Sequence, residues 1–242
     1  MISAVIPVYN EAGRLDHAVA AMGSVLQQAA PDDWELVLVN DGSADDTGAR
    51  IDRFAAEHPR VVGVQHAVNQ GKGAAVRSGV LATRGDMVLF CDADMSTPPE
   101  TLLPFVELLR ADEADVVVGN RKSREATIER WQPTLRTQLG LGFTKLANAL
   151  TGLSINDYTC GFKLFRGDAA REIFEATETP RWSFDVEILA RASRMGLRIR
   201  EVPVRWSHVD DTRVRVFRDV VGSFLEVLAI RRRLGRMPRG DR

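Results

Sequence analysis

The chain has 242 residues, of which 45% are hydrophobic and 27% charged, with a formal net charge of −1. This composition fits one α/β domain with a sizeable core and excludes a disordered chain. The near-neutral charge argues against a nucleic-acid partner. We find no apolar stretch of membrane-spanning length and no basic leader of a signal peptide. Two cysteines are too few for a disulfide framework, which favours a reducing compartment.

The first half of the chain alternates short apolar segments with amphipathic ones. Strands are predicted at residues 4–8, 35–39, 61–65, 87–91 and 115–118, and helices at 14–29, 45–57, 72–83 and 99–111. This β-α-β-α order predicts an α/β fold with a mostly parallel central sheet flanked by helices.

After residue 121 the pattern changes. The sequence predicts a basic loop, helices near 134–151, 168–176 and 184–196, strands at 160–165 and 198–205, and a terminal helix at 216–234. The terminal helix has one broad apolar side, and the twelve residues 231–242 include six arginines against one aspartate. Two interpretations are open: the helix lies in a membrane interface with its arginines on lipid phosphates, or it packs on its own domain.

The most informative segment is F-C-D-A-D-M-S-T, in which an apolar run ends in Asp92 and Asp94. Alternate strand residues face the same side, so the two carboxylates project together. Such hard oxygen ligands suit Mg²⁺ or Mn²⁺ with coordination positions left for phosphate oxygens. A Pro-Pro-Glu sequence follows and predicts a helix start with Ser96 or Thr97 as N-cap. The segment therefore predicts a metal-nucleotide site; a chance Asp-x-Asp in a loop is the alternative.

Three other predicted strand ends carry polar or glycine residues: V-I-P-V-Y-N-E at 5–11, N-D-G-S at 40–43 and N-Q-G-K-G at 69–73. Parallel sheets bind ligands at this edge. Asp41 could accept hydrogen bonds from a base or ribose, or form an Asx turn. Gly71 and Gly73 let backbone approach a ligand, and Lys72 supplies a point charge. The P-loop and G-x-G-x-x-G patterns are absent, which argues against a kinase or an NAD-dependent enzyme.

In this order the segments resemble the family 2 glycosyltransferases of the GT-A fold. The second half narrows the resemblance through D-Y-T-C-G-F-K-L-F at 157–165, R-W-S-F-D-V-E at 181–187 and E-V-P-V-R-W at 201–206. These segments are similar to the polyprenyl-phosphate (dolichyl-phosphate) sugar synthases, with the dolichyl-phosphate β-glucosyltransferase branch closest. The resemblance covers about residues 2–230.

The resemblance implies transfer of one hexose, with inversion, from a nucleoside-diphosphate sugar to a polyprenyl phosphate. UDP-glucose is favoured over GDP-mannose, because residues 157–162 depart from the mannosyl branch, which usually has Ser before this glycine. Asp92 and Asp94 would hold Mg²⁺ or Mn²⁺ on the donor diphosphate, with Asp94 counted as catalytic. The other residues expected at the donor are Pro7, Tyr9, Asn10, Glu11, Asp41, Gly71, Lys72 and Ala93.

The sequence contains no recognisable Ser-His-Asp or Cys-His arrangement. The chemistry of the expected acceptor explains this absence. A lipid phosphate is already an anion and needs positioning more than a strong base. Arg121, Arg130 and Arg136 are expected to bind the acceptor phosphate, because a guanidinium holds phosphate bidentately; an exposed basic loop is the alternative. Arg121 and Arg136 are also expected to be catalytic. Asp157 is also expected to be catalytic, at the sugar hydroxyls or the acceptor phosphate, and would be the base for an alcohol acceptor.

We therefore predict a GT-A catalytic domain over 1–210, with a nucleotide-binding half (1–120) and an acceptor half (121–210), then an amphipathic helix and basic tail over 211–242. We expect peripheral attachment to the cytoplasmic face of a membrane; a membrane partner or a homo-oligomer is open. One alternative is a GT-A enzyme for a glycan or soluble hydroxyl acceptor. A non-catalytic nucleotide-sugar sensor is a third reading, which nothing favours because both D-x-D carboxylates are present.

Overall fold

The computed structural model describes residues 1–130, 134–208 and 216–235, except the side chains of Arg130, residues 134–137, residues 216–221 and Phe224. The strands are β1 (Ile2–Val8), β2 (Trp34–Asn40), β3 (Val61–Gln65), β4 (Met87–Cys91), β5 (Val116–Asn120), β6 (Thr127–Arg130), β7 (Phe162–Arg166), β8 (Ile199–Pro203) and β9 (Arg205–Ser207). The α-helices are α1 (Ala12–Ala29), α2 (Thr47–Glu57), α3 (Lys72–Leu81), α4 (Leu102–Arg110), α5 (Thr134–Thr151), α6 (Gly167–Ala176), α7 (Phe184–Arg194) and α8 (Val216–Leu234).

Seven strands form one sheet in the order β3-β2-β1-β4-β7-β5-β8. Strand β1 is parallel to β2 and β4, β2 to β3, and β5 to β8, whereas β7 is antiparallel to both β4 and β5. The predicted mostly parallel α/β fold is confirmed. Because β7 and β8 come from the second half of the chain, the sheet joins the predicted halves 1–120 and 121–210. The division itself stays a prediction.

Both faces of the sheet are covered by apolar side chains, as β2 illustrates. Leu36 and Leu38 belong to the core on one face, while Val37 and Val39 belong to the core on the other. This alternation follows from the strand period of two residues. It explains why the strand reads as a continuous apolar run, which is typical of parallel strands covered by helices on both sides.

Helix α8 packs on the domain along one face and exposes apolar residues on another. Val227, Ile230 and Leu234 are buried in the core, where α8 meets α5 and α7. Leu225 and Leu228 are 65% and 46% exposed. The packing interpretation is therefore confirmed for one face of α8, and a membrane-interface role of the exposed face stays a prediction. Among the residues described, no helix is both long and apolar enough to cross a bilayer.

The expected N-cap at Ser96 or Thr97 is wrong. The connection instead begins with a 3₁₀ turn at Pro99–Thr101, whose N-cap position is Pro98 and which has no side-chain cap bond. The Ser96 backbone N–H donates to Asp94 Oδ1 (2.9 Å). This bond keeps Ser96 in the Asp-x-Asp turn, two residues before the N-cap position at Pro98.

A second, two-stranded sheet of β6 and β9 was not predicted. Its strands have four and three residues and pair in parallel across a long sequence separation, with an irregular register. Such short polar segments carry no period that could be read from the sequence, because the pairing itself, not local propensity, makes them strands.

The two faces of α8 predict different mutational effects. Ile230→Ala should lower the free energy of unfolding by about 2–5 kcal/mol, because it opens a cavity in the core. Leu225→Ala, on the exposed face, should change it by less than about 0.5 kcal/mol. Urea denaturation of both variants measures the difference. Equal effects would contradict the packing of α8 on its own domain.

Candidate active site

The carboxyl ends of β1, β2 and β4 bring three of the predicted segments to one edge of the sheet. The parallel registers place Val8 opposite Asn40 and Val5 opposite Phe90. The residues that follow these strands, Tyr9, Asp41 and Asp92, therefore share this edge.

Within the first segment, Pro7 lies on β1 and Tyr9 is exposed. Asn10 joins this segment to the next one, because its Oδ1 accepts from the Ala44 N–H (2.7 Å). Its own N–H donates to Ser43 Oγ (2.8 Å). Glu11 is the N-cap residue of α1. The first two predicted donor segments are thus tied together by hydrogen bonds.

Asp41 is buried and organises the loop before α3. Its carboxylate accepts from the N–H groups of Gln70 and Gly71 and from Asn69 Nδ2, each at 2.9 Å, and lies 2.9 Å from His66 Nδ1. These contacts, rather than a local Asx turn, occupy both carboxylate oxygens. Direct contact of Asp41 with a base or ribose stays a prediction.

His66 joins Asp41 to Ser78, which the sequence analysis did not foresee. Its Nε2 lies 2.9 Å from Ser78 Oγ, so aspartate, histidine and serine form one hydrogen-bonded series. Ser78 lies inside α3, and the Asp41 carboxylate accepts hydrogen bonds from the glycine loop, by which we mean residues 69–73. We interpret the series as a support for that loop.

The glycine loop lies against the loop that carries Trp182. Gly71 has a φ of +106°, and a Cβ there would lie 2.6 Å from the Pro180 carbonyl oxygen. A Cβ on Gly73 would lie 2.6 Å from the Thr179 carbonyl oxygen. Both positions therefore require glycine for backbone packing. Their predicted approach to a ligand is a separate expectation.

Asp92 and Asp94 lie beyond the end of β4, next to Lys72, the first residue of α3. Lys72 Nζ is 2.5 Å from Asp92 Oδ1 and 5.7 Å from the centre of the Trp182 ring. Burial and the neighbouring Asp92 charge raise the pKa of Asp94. Burial alone would lower the pKa of Lys72, but the nearby carboxylates, Asp92 foremost, raise it above its ordinary value.

These carboxylates fit a divalent cation that also binds a substrate. Between Asp92 and Asp94 lies the buried Ala93, so no larger side chain separates them. In the described part of the chain, no group of three or more His, Cys, Asp or Glu residues could hold a metal ion. Mg²⁺ and Mn²⁺ sites for nucleotides commonly use one or two carboxylates and complete their coordination with phosphate oxygens and water.

A buried ion pair that the sequence analysis missed lies beside Asp92. Lys163 is buried, and its Nζ donates to Asp185 Oδ1 (2.5 Å) and to the Cys160 carbonyl oxygen (2.6 Å). Burial raises the pKa of Asp185, although Lys163 opposes this shift. One sequence feature could have indicated this pair: each charged residue is flanked by apolar residues, Lys163 in F-K-L-F and Asp185 in F-D-V-E.

The turn that Lys163 holds is in direct contact with Asp92. The Asp92 N–H donates to the Gly161 carbonyl oxygen (3.1 Å). A Cβ on Gly161 would overlap the Asp92 carboxylate. Gly161 is therefore required for the position of the Asp92 side chain.

Arg121 and Asp157 form a bidentate pair. Arg121 Nε and Nη2 donate to the two carboxylate oxygens at 2.7 and 2.8 Å, and the Arg121 N–H donates at 3.1 Å. Asp157 is 0% exposed, and the Arg121 guanidinium also lies 5.5 Å from the Trp206 ring centre. Burial would raise the pKa of Asp157, but Arg121 lowers it to about 2. Asp157 is therefore an anion at neutral pH and a weak base.

Two further residues surround this pair. The Glu201 carboxylate accepts from the N–H groups of Asn156 and Asp157, each at 3.0 Å, and so fixes the turn. Lys122 Nζ donates to Thr144 Oγ1 (2.7 Å), and burial lowers its pKa. The expected roles of Arg130 and Arg136 concern side chains outside the described part of the structure.

Helix α8 supports the loop that carries Trp182. Glu187 is buried, and its carboxylate accepts from the Thr179 N–H (2.9 Å) and Oγ1 (2.5 Å). Arg233, in α8, donates to Thr179 Oγ1 (3.1 Å). Ser183 Oγ donates to the Ser223 carbonyl oxygen of α8 (3.3 Å). The terminal helix therefore contacts the same loop that packs against the glycine loop.

The strands and loops that build this site fall within a known family. Residues 3–174 match the model described as Glycosyl transferase family 2. The chain belongs to glycosyl transferase family 2. The expected family is thereby confirmed, and its model covers the segments that contain Asp41, Lys72, Asp92, Asp94 and Asp157.

The relatives of this family 2 member include several dolichyl-phosphate beta-glucosyltransferases. One from Trichomonas vaginalis is 34% identical over 220 residues, which cover 88% of this chain and 65% of the relative. One from Saccharomyces cerevisiae is 34% identical over 248 residues, covering 95% of this chain and 74% of the relative. The chain therefore spans about two thirds to three quarters of these relatives' lengths. The expected similarity to this branch is confirmed.

Solved structures share the fold. Glucosyl-3-phosphoglycerate synthase from Mycobacterium tuberculosis, in complex with Mn²⁺, UDP and glucosyl-3-phosphoglycerate, aligns with a TM-score of 0.70 and 21% identity. The alignment covers 98% of this chain and 81% of that one. The expected GT-A architecture is confirmed at the level of fold.

Gly161→Ala tests the contact with Asp92. The added Cβ should displace the Asp92 carboxylate and weaken Mn²⁺ binding in the presence of UDP by about 10-fold or more. Gly140→Ala is the control, because a Cβ there meets nothing within 4 Å in helix α5. Calorimetric titration measures both. Unchanged Mn²⁺ binding by folded Gly161→Ala would contradict the required position of Asp92.

The Arg121–Asp157 pair predicts a pH dependence of stability. The Asp157 pKa is lowered from 3.8 to about 2, so its contribution of about 2 kcal/mol is present above pH 4 and lost as the pH falls towards 2. Asp157→Asn should therefore be less stable than the wild type by at least that amount at pH 7, and the gap should narrow by about 2 kcal/mol as the pH falls from 5 to 2. Urea denaturation at several pH values measures it; a constant gap would contradict the assignment.

Proposed function

We propose that this protein is a metal-dependent hexosyltransferase that moves glucose, with inversion, from a nucleoside-diphosphate donor to a polyprenyl or dolichyl phosphate. The product is a lipid-phosphate monosaccharide. The observation that carries the proposal is the Asp92–Asp94 pair beside Lys72 at the carboxyl edge of the sheet. The dolichyl-phosphate beta-glucosyltransferase relatives support the choice of acceptor and sugar.

The donor would bind across the ends of β1, β2 and β4. Asp92 and Asp94 would hold Mg²⁺ or Mn²⁺, which neutralises charge on the departing nucleoside diphosphate. Lys72 adds a cation at the same point, and the Asp41-supported glycine loop fixes where that cation lies. Tyr9, Asn10 and Glu11 would line the nucleoside pocket together with Pro7.

The state of Asp157 favours an anionic acceptor. A hydroxyl acceptor needs a general base whose pKa lies near the operating pH, and Asp157 is buried with a pKa of about 2. A phosphate acceptor needs cations and positioning instead. Arg121, Arg130 and Arg136 are the proposed acceptor-phosphate residues. Arg121 would bind the acceptor phosphate while its guanidinium stays hydrogen-bonded to Asp157, because this pair already holds the guanidinium in one orientation.

The names of the relatives favour glucose, and UDP-glucose is the proposed donor. Trp182 is exposed beside Lys72, so its ring is available to a sugar at the donor diphosphate. GDP-mannose is the next candidate. The matching structure of glucosyl-3-phosphoglycerate synthase contains UDP, but at 21% identity it supports the fold alone.

We further propose that α8 meets the lipid surface that holds the acceptor. Its exposed Leu225 and Leu228, with exposed Leu141 of the neighbouring α5, are apolar groups suited to a membrane interface. The exposed Arg231 and Arg232 suit lipid phosphates. Attachment would be peripheral, on the cytoplasmic face. A membrane partner or a homo-oligomer stays an untested prediction.

The test is transfer of label into lipid. Purified protein is incubated with Mg²⁺ or Mn²⁺, a polyprenyl phosphate and, separately, labelled UDP-glucose, GDP-mannose, UDP-galactose or UDP-N-acetylglucosamine. We expect label in the organic phase from UDP-glucose, abolished by a chelator. Asp94→Asn should reduce this transfer by about 100-fold or more while leaving folding intact.

The other outcomes separate the alternatives. Transfer from GDP-mannose alone would reassign the sugar. Donor hydrolysis without lipid-linked label would favour a glycan or soluble hydroxyl acceptor and remove the proposed role of α8. Full turnover by Asp94→Asn would contradict the metal role of the Asp-x-Asp pair.

A further inference from the structure

We propose that Lys72 is a built-in counter-cation that occupies Asp92 until the donor diphosphate arrives, and so makes metal and nucleotide bind together. This inference rests on the proposed metal site at Asp92 and Asp94. It adds an order to the binding steps. The free enzyme binds the divalent ion weakly, and the nucleotide removes the competitor.

The geometry places the ammonium group where a metal ion would be held. Lys72 Nζ is 2.5 Å from Asp92 Oδ1, and only 18% of the Lys72 side chain is exposed. The Trp182 ring lies on the lysine, 5.7 Å from Nζ to the ring centre. Lys72 is also the first residue of α3, directly after a loop that Asp41 holds by two backbone hydrogen bonds. The position of the ammonium group is therefore fixed by contacts of a mostly buried side chain and by the hydrogen-bonded loop that precedes it.

A divalent ion on Asp92 would conflict with this arrangement. Two cations cannot share one carboxylate oxygen at contact distance without a large repulsion in a partly buried site. Lys72 would have to leave Asp92 and find another anion, because an unpaired buried charge is costly. Two other carboxylates act on Lys72, but neither is available: Asp185 is already paired with Lys163 at 2.5 Å, and Asp94 is the second proposed metal ligand.

The donor diphosphate supplies the missing anion. Once it is bound, Lys72 can pair with a phosphate oxygen while Asp92 is released to the metal ion. Metal and nucleotide then favour each other through two effects: the metal contacts the diphosphate, and the diphosphate takes Lys72 away. By linkage, the second effect must raise the affinity for both ligands by the same factor.

The experiment measures Mn²⁺ binding without nucleotide, from the electron paramagnetic resonance signal of free Mn²⁺. Lys72→Met removes the competing charge, and we expect it to bind Mn²⁺ at least about 5-fold more tightly than the wild type. Lys72→Arg keeps a cation at this place and should remain weak. Lys145→Met, at an exposed position of α5, controls for the change in net charge and should match the wild type. Unchanged or weaker Mn²⁺ binding by Lys72→Met would overturn the proposal; Lys72→Gln repeats the test if that variant does not fold.

A second measurement adds UDP. The factor by which UDP tightens Mn²⁺ binding should be smaller in Lys72→Met than in the wild type, and an equal factor would contradict the inference. Asp94→Asn separates the two proposals. If Asp94→Asn does not weaken Mn²⁺ binding with UDP, the metal site itself is wrong. If it does weaken it but Lys72→Met does not tighten it, only the role of Lys72 fails.

Discussion

The need to balance charge at the buried end of β4 governs the site. Asp92, Asp94 and Asp185 lie within electrostatic reach of Lys72, and Lys163 neutralises Asp185. Charges removed from water must be paired, so each carboxylate here has a cation or a backbone donor. Burial, and then the neighbouring Asp92 charge, raise the pKa of Asp94, so the cations and donors nearby do not fully compensate this carboxylate. A divalent cation is the ligand that we propose for this place, with the donor diphosphate completing its coordination.

The sheet topology brings the charged residues of this site together from distant regions of the chain. The antiparallel β7 lies beside β4, with Phe90 opposite Lys163 and Cys91 opposite Phe162. This register carries the Cys160–Gly161 turn to the Asp92 side chain and sets Lys163 beneath it. Helix α8 then contacts the Trp182 loop through hydrogen bonds to Thr179 and Ser183. The proposed donor site and the proposed lipid-facing helix are thus joined by one set of hydrogen bonds.

The sequence predicted the parallel part of the fold well, because buried strands such as those at 35–39 and 87–91 are largely continuous apolar runs with clear boundaries. It also predicted that the segments with Asp41, Lys72 and Asp92 meet, since parallel strands share one ligand edge. It could not predict β6 and β9, or the contacts of Lys163 and His66, because these depend on tertiary pairing between distant segments. The prediction of Ser96 or Thr97 as N-cap was wrong because the Ser96 backbone N–H is hydrogen-bonded to Asp94 within the Asp-x-Asp turn.

The most direct test of the whole account is a crystal structure with Mn²⁺ and UDP, with manganese located by anomalous scattering. We expect one manganese peak bound by Asp92 and Asp94 and by the diphosphate oxygens, with the Lys72 ammonium moved from Asp92 to a phosphate. A manganese peak elsewhere, or UDP bound away from the ends of β1, β2 and β4, would contradict the assignment of this edge as the active site.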